Sequence, residues 1–230
     1  MMTPEQLAAQ IDHTLLSPVA TADQYRELCA EAIQYGFHSV CVPSSRIDLA
    51  VTETEESSVR VCSVVGFPFG YADGDAKRYE TEAAVDLGAH EIDVVLNLGL
   101  VKERADELIF RELLDVVEAA DERPVKVILE TGYLDREEIV RLVELFKKTG
   151  AHFVKTSTGF GPRGASIEDV QLLRELVGPG YGVKASGGIR DFETAAAMIE
   201  AGADRLGTSS GVTLVEECRD ADSGVVAGNE

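Results

Sequence analysis

Short apolar runs and longer amphipathic stretches alternate along the chain, and the two patterns predict different elements. Eight runs read as strands: Ile11–His13, Ser39–Val42, Arg60–Val65, Glu91–Asn97, Val125–Glu130, Phe153–Thr158, Gly182–Ser186 and Arg205–Ser209. Between them apolar residues recur at helical spacing. Tyr25, Leu28, Cys29 and Ala32 form one such face, closed by Gly36, and a helix over roughly Lys77–Leu87 ends at Gly88. Further faces are Ile109, Leu113, Val116 and Ala120, then Ile139, Leu142, Val143 and Phe146, then Leu172, Leu173 and Leu176. Asp191 reads as the cap of a helix carrying Phe192, Ala195, Ala196 and Ile199, and a short helix opens the chain near Thr3 and Pro4.

Eight strand–helix units without a linker or a change of composition predict a single (β/α)8 TIM barrel. A doubly wound sheet would leave edges, and neither GxGxxG after the first strand nor GxxxxGK[ST] is present. The expected division is one domain over residues 1–218 and an acidic, flexible tail over 219–230.

Composition narrows the function classes. With 41 Asp and Glu against 21 Lys and Arg, the formal charge is -20, spread along the chain. Such a surface repels nucleic acid and anionic membrane, so neither is an expected partner. Screening in a salt-rich cytoplasm would account for its size, which makes salt adaptation an expectation. Cys29, Cys41, Cys62 and Cys218 lack close metal-ligand spacing and read as buried free thiols of a reducing compartment. No cationic-then-apolar leader and no membrane span are read in the chain, so the expected location is the cytoplasm.

Charge placed inside apolar strands is the strongest chemical signal. Alternation puts Phe153, Lys155 and Ser157 on one face of a strand, and Lys184 with Ser186 on one face of the next. If both faces point inward, two amines converge. A buried cation is costly, and salt bridging, loss of a proton or an anionic ligand could each offset that cost. A neutral amine attacks a carbonyl, so the pair provides a reason for Schiff-base formation at ordinary pH. Asp93, on a face with Val95 and Asn97, is a candidate proton-transfer group, or one half of a buried salt bridge. Lys126 and Glu130 share a face and read as a salt bridge at least as readily as chemistry.

Asp12 and Thr14 could orient a sugar hydroxyl or support Lys184, whereas His13 reads as a structural imidazole. His38, His90 and His152 stand at strand entrances as packing or capping groups, and no HExxH occurs. Two late loops suit an anion: Gly187-Gly188-Ile189-Arg190-Asp191, and Thr208-Ser209-Ser210-Gly211 after the eighth strand. Glycines admit close backbone amides, and these are the places where barrels commonly hold phosphate.

Taken in order, IDHTL at 11–15, EIDVVLN at 91–97, KVILETG at 126–132, FVKTSTG at 153–159, VKASGGIR at 183–190 and GTSSG at 207–211 closely resemble the deoxyribose-phosphate aldolase family. That resemblance implies a metal-independent class I aldolase needing no cofactor. The implied reaction is reversible cleavage of 2-deoxy-D-ribose 5-phosphate into D-glyceraldehyde 3-phosphate and acetaldehyde. It implies Lys155 as the Schiff-base amine, Lys184 as the residue tuning it, and Asp93 as the acid/base relay. Gly159, Gly187, Gly188 and Ser210 match phosphate positions, with Ser209 an additional candidate. Two departures stand out: CVPSS at 41–45 lacks the family's Asn-Pro, and the terminal peptide has no tyrosine. A homo-oligomer is expected, although helix faces do not identify its interface. Three other readings stay open here: a Schiff-base aldolase for a related phosphorylated sugar, a phosphate-binding barrel isomerase, and a noncatalytic module whose lysines serve an ion network.

Overall fold

The computed structural model describes residues 2–222. Eight strands, β1 (Ile11–Thr14), β2 (Ser39–Val42), β3 (Arg60–Val65), β4 (Glu91–Val95), β5 (Val125–Ile128), β6 (Phe153–Lys155), β7 (Gly182–Ser186) and β8 (Arg205–Thr208), pair in sequence order. All pairings are parallel and β8 closes on β1, which gives the expected (β/α)8 barrel without a free edge. The helices are α1 (Pro4–Ala8), α2 (Ala22–Tyr35), α3 (Ile47–Thr54), α4 (Gly74–Asp86), α5 (Leu98–Lys102), α6 (Asp106–Ala119), α7 (Arg136–Phe146), α8 (Ile167–Val177), α9 (Phe192–Glu200) and α10 (Gly211–Asp222). No helix among the described residues is long and apolar enough to cross a membrane.

Alternation divides each strand between two environments. Val40, Val61, Ile92, Val94, Val125, Val127, Val154, Val183, Ala185 and Leu206 join the helices in one buried apolar core. The neighbouring positions carry the polar set Asp12, Ser39, Glu91, Asp93, Lys126, Lys155, Lys184 and Arg205, all buried. The apolar layer between sheet and helices therefore supplies the folding drive, and the barrel interior is left for charge.

Several strands are shorter than the apolar runs predict. β4 stops at Val95 because Asn97 turns the chain, its side chain accepting from the amides of Gly99 (3.1 Å) and Leu100 (3.3 Å) at the start of α5. β5 stops at Ile128, since Glu130 takes a left-handed conformation (φ 54°) before a short 3-10 turn. β6 ends at Lys155 itself. Asp191 caps α9 as expected, accepting from the Thr194 amide at 2.8 Å. Three helices were not anticipated: α3, which buries Ile47, Ala50 and Thr54, the short α5, and α10. Helix α10 runs through Asp222, so residues 219–222 of the expected flexible tail form its last turn. The rest of that tail lies outside the described residues.

Candidate active site

Register brings the charged residues together. Lys155 and Lys184 are direct partners across β6 and β7, as are Asp93 and Lys126 across β4 and β5. All these side chains point inward and converge on Asp93. Its Oδ2 accepts from Lys155 Nζ and Lys184 Nζ, each at 2.8 Å, while its Oδ1 accepts from Lys126 Nζ at 2.8 Å and from the Cys62 thiol at 3.1 Å. Asp12 lies on the other side of Lys184, in ion contact at 2.5 Å without hydrogen-bond alignment. It also accepts from Arg205 (2.6 Å) and from the Ser39 hydroxyl (2.8 Å). Glu91 contacts Lys126 at 2.6 Å and Arg205 at 3.5 Å. Room for Lys184 depends on Gly207, where a Cβ would come within 3.1 Å of Lys184 Cε and 2.9 Å of Ser186 Cβ.

Burial and charge oppose each other at Asp93, Asp12, Lys184 and Lys126, and charge prevails. Burial works against the Asp93 carboxylate, but Lys126, Lys155 and Lys184 together hold it well below the usual carboxylate range. Asp12 is likewise lowered against its burial by Lys184 and Arg205. Burial alone would drive Lys184 down, yet Asp12 and Asp93 outweigh it and raise it above its ordinary value. Lys126 is raised in the same way, against burial, chiefly by Asp93. Lys184 and Lys126 are thus fixed cations, and Asp93 and Asp12 fixed anions, across the neutral range.

Above this cluster opens a cavity of about 440 Å³ at the C-terminal end of the barrel. Lys155 is the member of the ion cluster that lines it; Lys184, Asp93 and Lys126 are fully buried beneath. The walls include Thr14, Gly159, Gly187, Gly188 and Ser209. Gly187 and Gly188 have φ of 88° and 82°, the left-handed region open to glycine, and a Cβ on Gly187 would press on Gly164 Cα at 3.0 Å. Their loop leads into α9, and Ser209 lies two residues before the start of α10, so a glycine loop and the approach to a helix N-terminus border one end of the cavity. Lys155 and the glycine-rich rim therefore share one chamber.

Most candidate residues meet here, with corrections. Asp12 does not reach the cavity; its carboxylate is spent on Lys184, Arg205 and Ser39, which makes it a support for Lys184 and not a sugar contact. Thr14 does line the cavity, its hydroxyl donating to the Asp12 carbonyl at 2.8 Å. Ser210 stays outside the lining, its amide held by Thr208 Oγ1 at 2.9 Å. Lys126 pairs with Asp93 and Glu91, not with Glu130, whose carboxylate takes the amide and hydroxyl of Thr158. His13 bonds Glu31 at 2.7 Å and stays behind the site. His90 and His152 accept strand amides of Val61 (2.9 Å) and Val125 (3.3 Å), as entrance caps.

The sequence reading missed Arg205 and Glu91 in the cluster; Arg190, part of the loop expected to suit an anion, lies on the cavity wall. The inward period of their strands was the available signal for the first two. It also missed that Cys41 and Cys62, distant in sequence, are register partners whose sulfurs lie within 4.8 Å of each other and of an Asp93 oxygen. That donor set does not suit a metal ion. Asp93 already carries three ammonium groups, and Lys126 Nζ stands 3.4 Å from Cys62 Sγ.

Comparison with known proteins places this geometry among relatives. The family model described as DeoC/LacD family aldolase matches residues 7–229. A deoxyribose-phosphate aldolase of Thermococcus gammatolerans is 50% identical over 225 residues, covering 96% of this chain and 100% of the relative. One from Caldanaerobacter subterraneus is 50% identical over 214 residues, covering 92% of this chain and 93% of the relative. Among solved structures, the tetrameric deoxyribose phosphate aldolase from Aeropyrum pernix is 40% identical with a TM-score of 0.89, covering 97% of this chain and 94% of that one.

Proposed function

Because this chain belongs to the DeoC/LacD family of aldolases, we propose that it reversibly cleaves 2-deoxy-D-ribose 5-phosphate into D-glyceraldehyde 3-phosphate and acetaldehyde, with Lys155 forming the Schiff base. One observation carries the assignment of the amine. Of the three lysines hydrogen-bonded to Asp93, Lys155 opens into the cavity, and the other two are sealed beneath it.

The chemistry follows from the arrangement. The Lys155 amine attacks C1 of the open-chain sugar, and loss of water gives an iminium. Loss of the C3 hydroxyl proton breaks the C2–C3 bond, and the iminium takes up the electron pair. Glyceraldehyde 3-phosphate departs, the enamine is protonated at C2, and hydrolysis frees acetaldehyde and the amine. Lys184 shares the Asp93 oxygen with Lys155 and keeps a positive charge beside the reacting amine. A carboxylate held by three cations stores a proton poorly. Asp93 therefore serves the relay by orienting Lys155, Lys184 and a bridging water while staying ionised. Gly159, Gly187, Gly188, Ser209 and Arg190 supply the phosphate end, Ser210 fixes the turn behind them, and Thr14 contacts the sugar.

Tetrameric assembly of a relative supports a homo-oligomer here, and metabolic relatives support a cytoplasmic setting. The test is direct. Purified protein incubated with deoxyribose 5-phosphate should release both aldehydes, with chelator present or absent. No cleavage at low or high salt would reject the substrate, and activity that vanished with chelator and returned with one divalent ion would reject the metal-free mechanism.

A further inference from the structure

The ion contacts inside the barrel form a closed ring. Arg205 contacts Asp12, Asp12 contacts Lys184, Lys184 contacts Asp93, Asp93 contacts Lys126, Lys126 contacts Glu91, and Glu91 returns to Arg205. Every step alternates in sign, so this ring of three cations and three carboxylates is neutral by itself. Lys155 hangs from it as a fourth cation, through an Asp93 oxygen that Lys184 already uses.

We infer that this neutral ring is what leaves Lys155 without a counter-charge of its own, and that Lys126 and Glu91, which do not reach the substrate cavity, set the pH at which Lys155 becomes nucleophilic. They act through Asp93 and Lys155 and are positioning residues. The inference rests on Lys155 being the Schiff-base amine.

Among the described residues, no carboxylate besides Asp93 is in ion contact with Lys155. Cys62 donates to Asp93, and burial pushes its thiol up. Cys41 on β2, the register partner of Cys62, is lowered by that neighbouring thiol and by Lys184 and Lys155, against its burial. His38 bonds the far oxygen of Glu91 at 3.0 Å, and Glu130 is engaged with Thr158. Arg190, exposed at the cavity wall, adds positive charge only.

The sign of each perturbation is fixed by this geometry. Removing the Lys126 cation leaves the ring negative, so Lys155 keeps its proton to higher pH. Removing the Glu91 charge leaves the ring positive, so Lys155 sheds its proton at lower pH. The experiment is borohydride trapping of acetaldehyde on the full chain across a pH series, with the adduct quantified on the peptide containing Lys155. Lys126→Met should move the midpoint upward by about one pH unit and Glu91→Gln downward by about as much. The double variant removes one charge of each sign, should fold more readily than either single change, and should return the midpoint to that of the unmodified protein. Lys126→Arg, which keeps the charge, should leave it in place. Midpoints that stay put, or move together in one direction, overturn the inference while leaving Lys155 as nucleophile. Absence of any adduct in the unmodified protein overturns both.

Discussion

At the scale of single residues, the account turns on which side chains touch the cavity and which only hold others. Lys155→Leu should abolish the trapped adduct and lower turnover by more than about 10³-fold, with the fold retained; measurable cleavage near the original rate would remove Lys155 from the mechanism. Gly207→Ala tests the packing of Lys184, because its methyl would meet Lys184 Cε and Ser186 Cβ. Turnover should fall by about tenfold or more, as a displaced tuning charge implies, and steady-state kinetics would show it in kcat. Asp12→Asn addresses acid stability. The folded carboxyl is lowered from its ordinary 3.8, so its stabilising contribution is present above that value and is lost as pH falls through the lowered one. Unfolding free energy measured from pH 5 downward should therefore fall less steeply in the variant than in the unmodified protein. Lys155, Lys184 and Asp93 were legible in the sequence because charge in an apolar strand is conspicuous. The partner of Lys126 was not, since the nearest carboxylate on its own strand, Glu130, turns away into the Thr158 loop, and the true partners lie on β4.

Elements were legible where periodicity runs to the end of a segment and illegible where side chains end it early. β2, β3 and β7 match their apolar runs, because each continues with inward and outward positions filled to the last residue. β4, β5 and β6 stop short because Asn97, Glu130 and the loop after Lys155 trade the strand ladder for local contacts at the C-terminal rim. That rim is where binding groups must project, so the shortening belongs to function. The loop between β7 and α9 yields a separable prediction. Gly187→Ala, strained at positive φ and pressed on Gly164, should raise KM for a phosphorylated sugar while leaving the unphosphorylated sugar nearly unaffected. Equal losses for both would deny the loop its phosphate role. Outside the barrel, α4 and α6 meet through Lys77 and Glu112, paired at 2.6 Å with almost no exposure. Lys77→Ala strands a buried carboxylate and should cost about 3–5 kcal/mol in chemical denaturation, with activity of the folded fraction unchanged.

For the whole molecule, the barrel separates two tasks: an apolar layer between sheet and helices holds the fold, while the interior carries a charge network that an apolar core could not replace without losing the chemistry. The net charge of -20 belongs to this scale as well. If it is an adaptation to salt, the melting temperature should climb as KCl is raised from low to molar concentration, and a flat or falling trend would oppose that reading. The central claim is narrower, that one cavity-facing lysine of three carries the aldehyde. The most direct measurement is mass spectrometry of the protein treated with deoxyribose 5-phosphate and borohydride, intact and after digestion. The arrangement predicts a single substrate-dependent adduct per chain on the peptide bearing Lys155. An adduct on Lys184 or Lys126, or none at all, would contradict it.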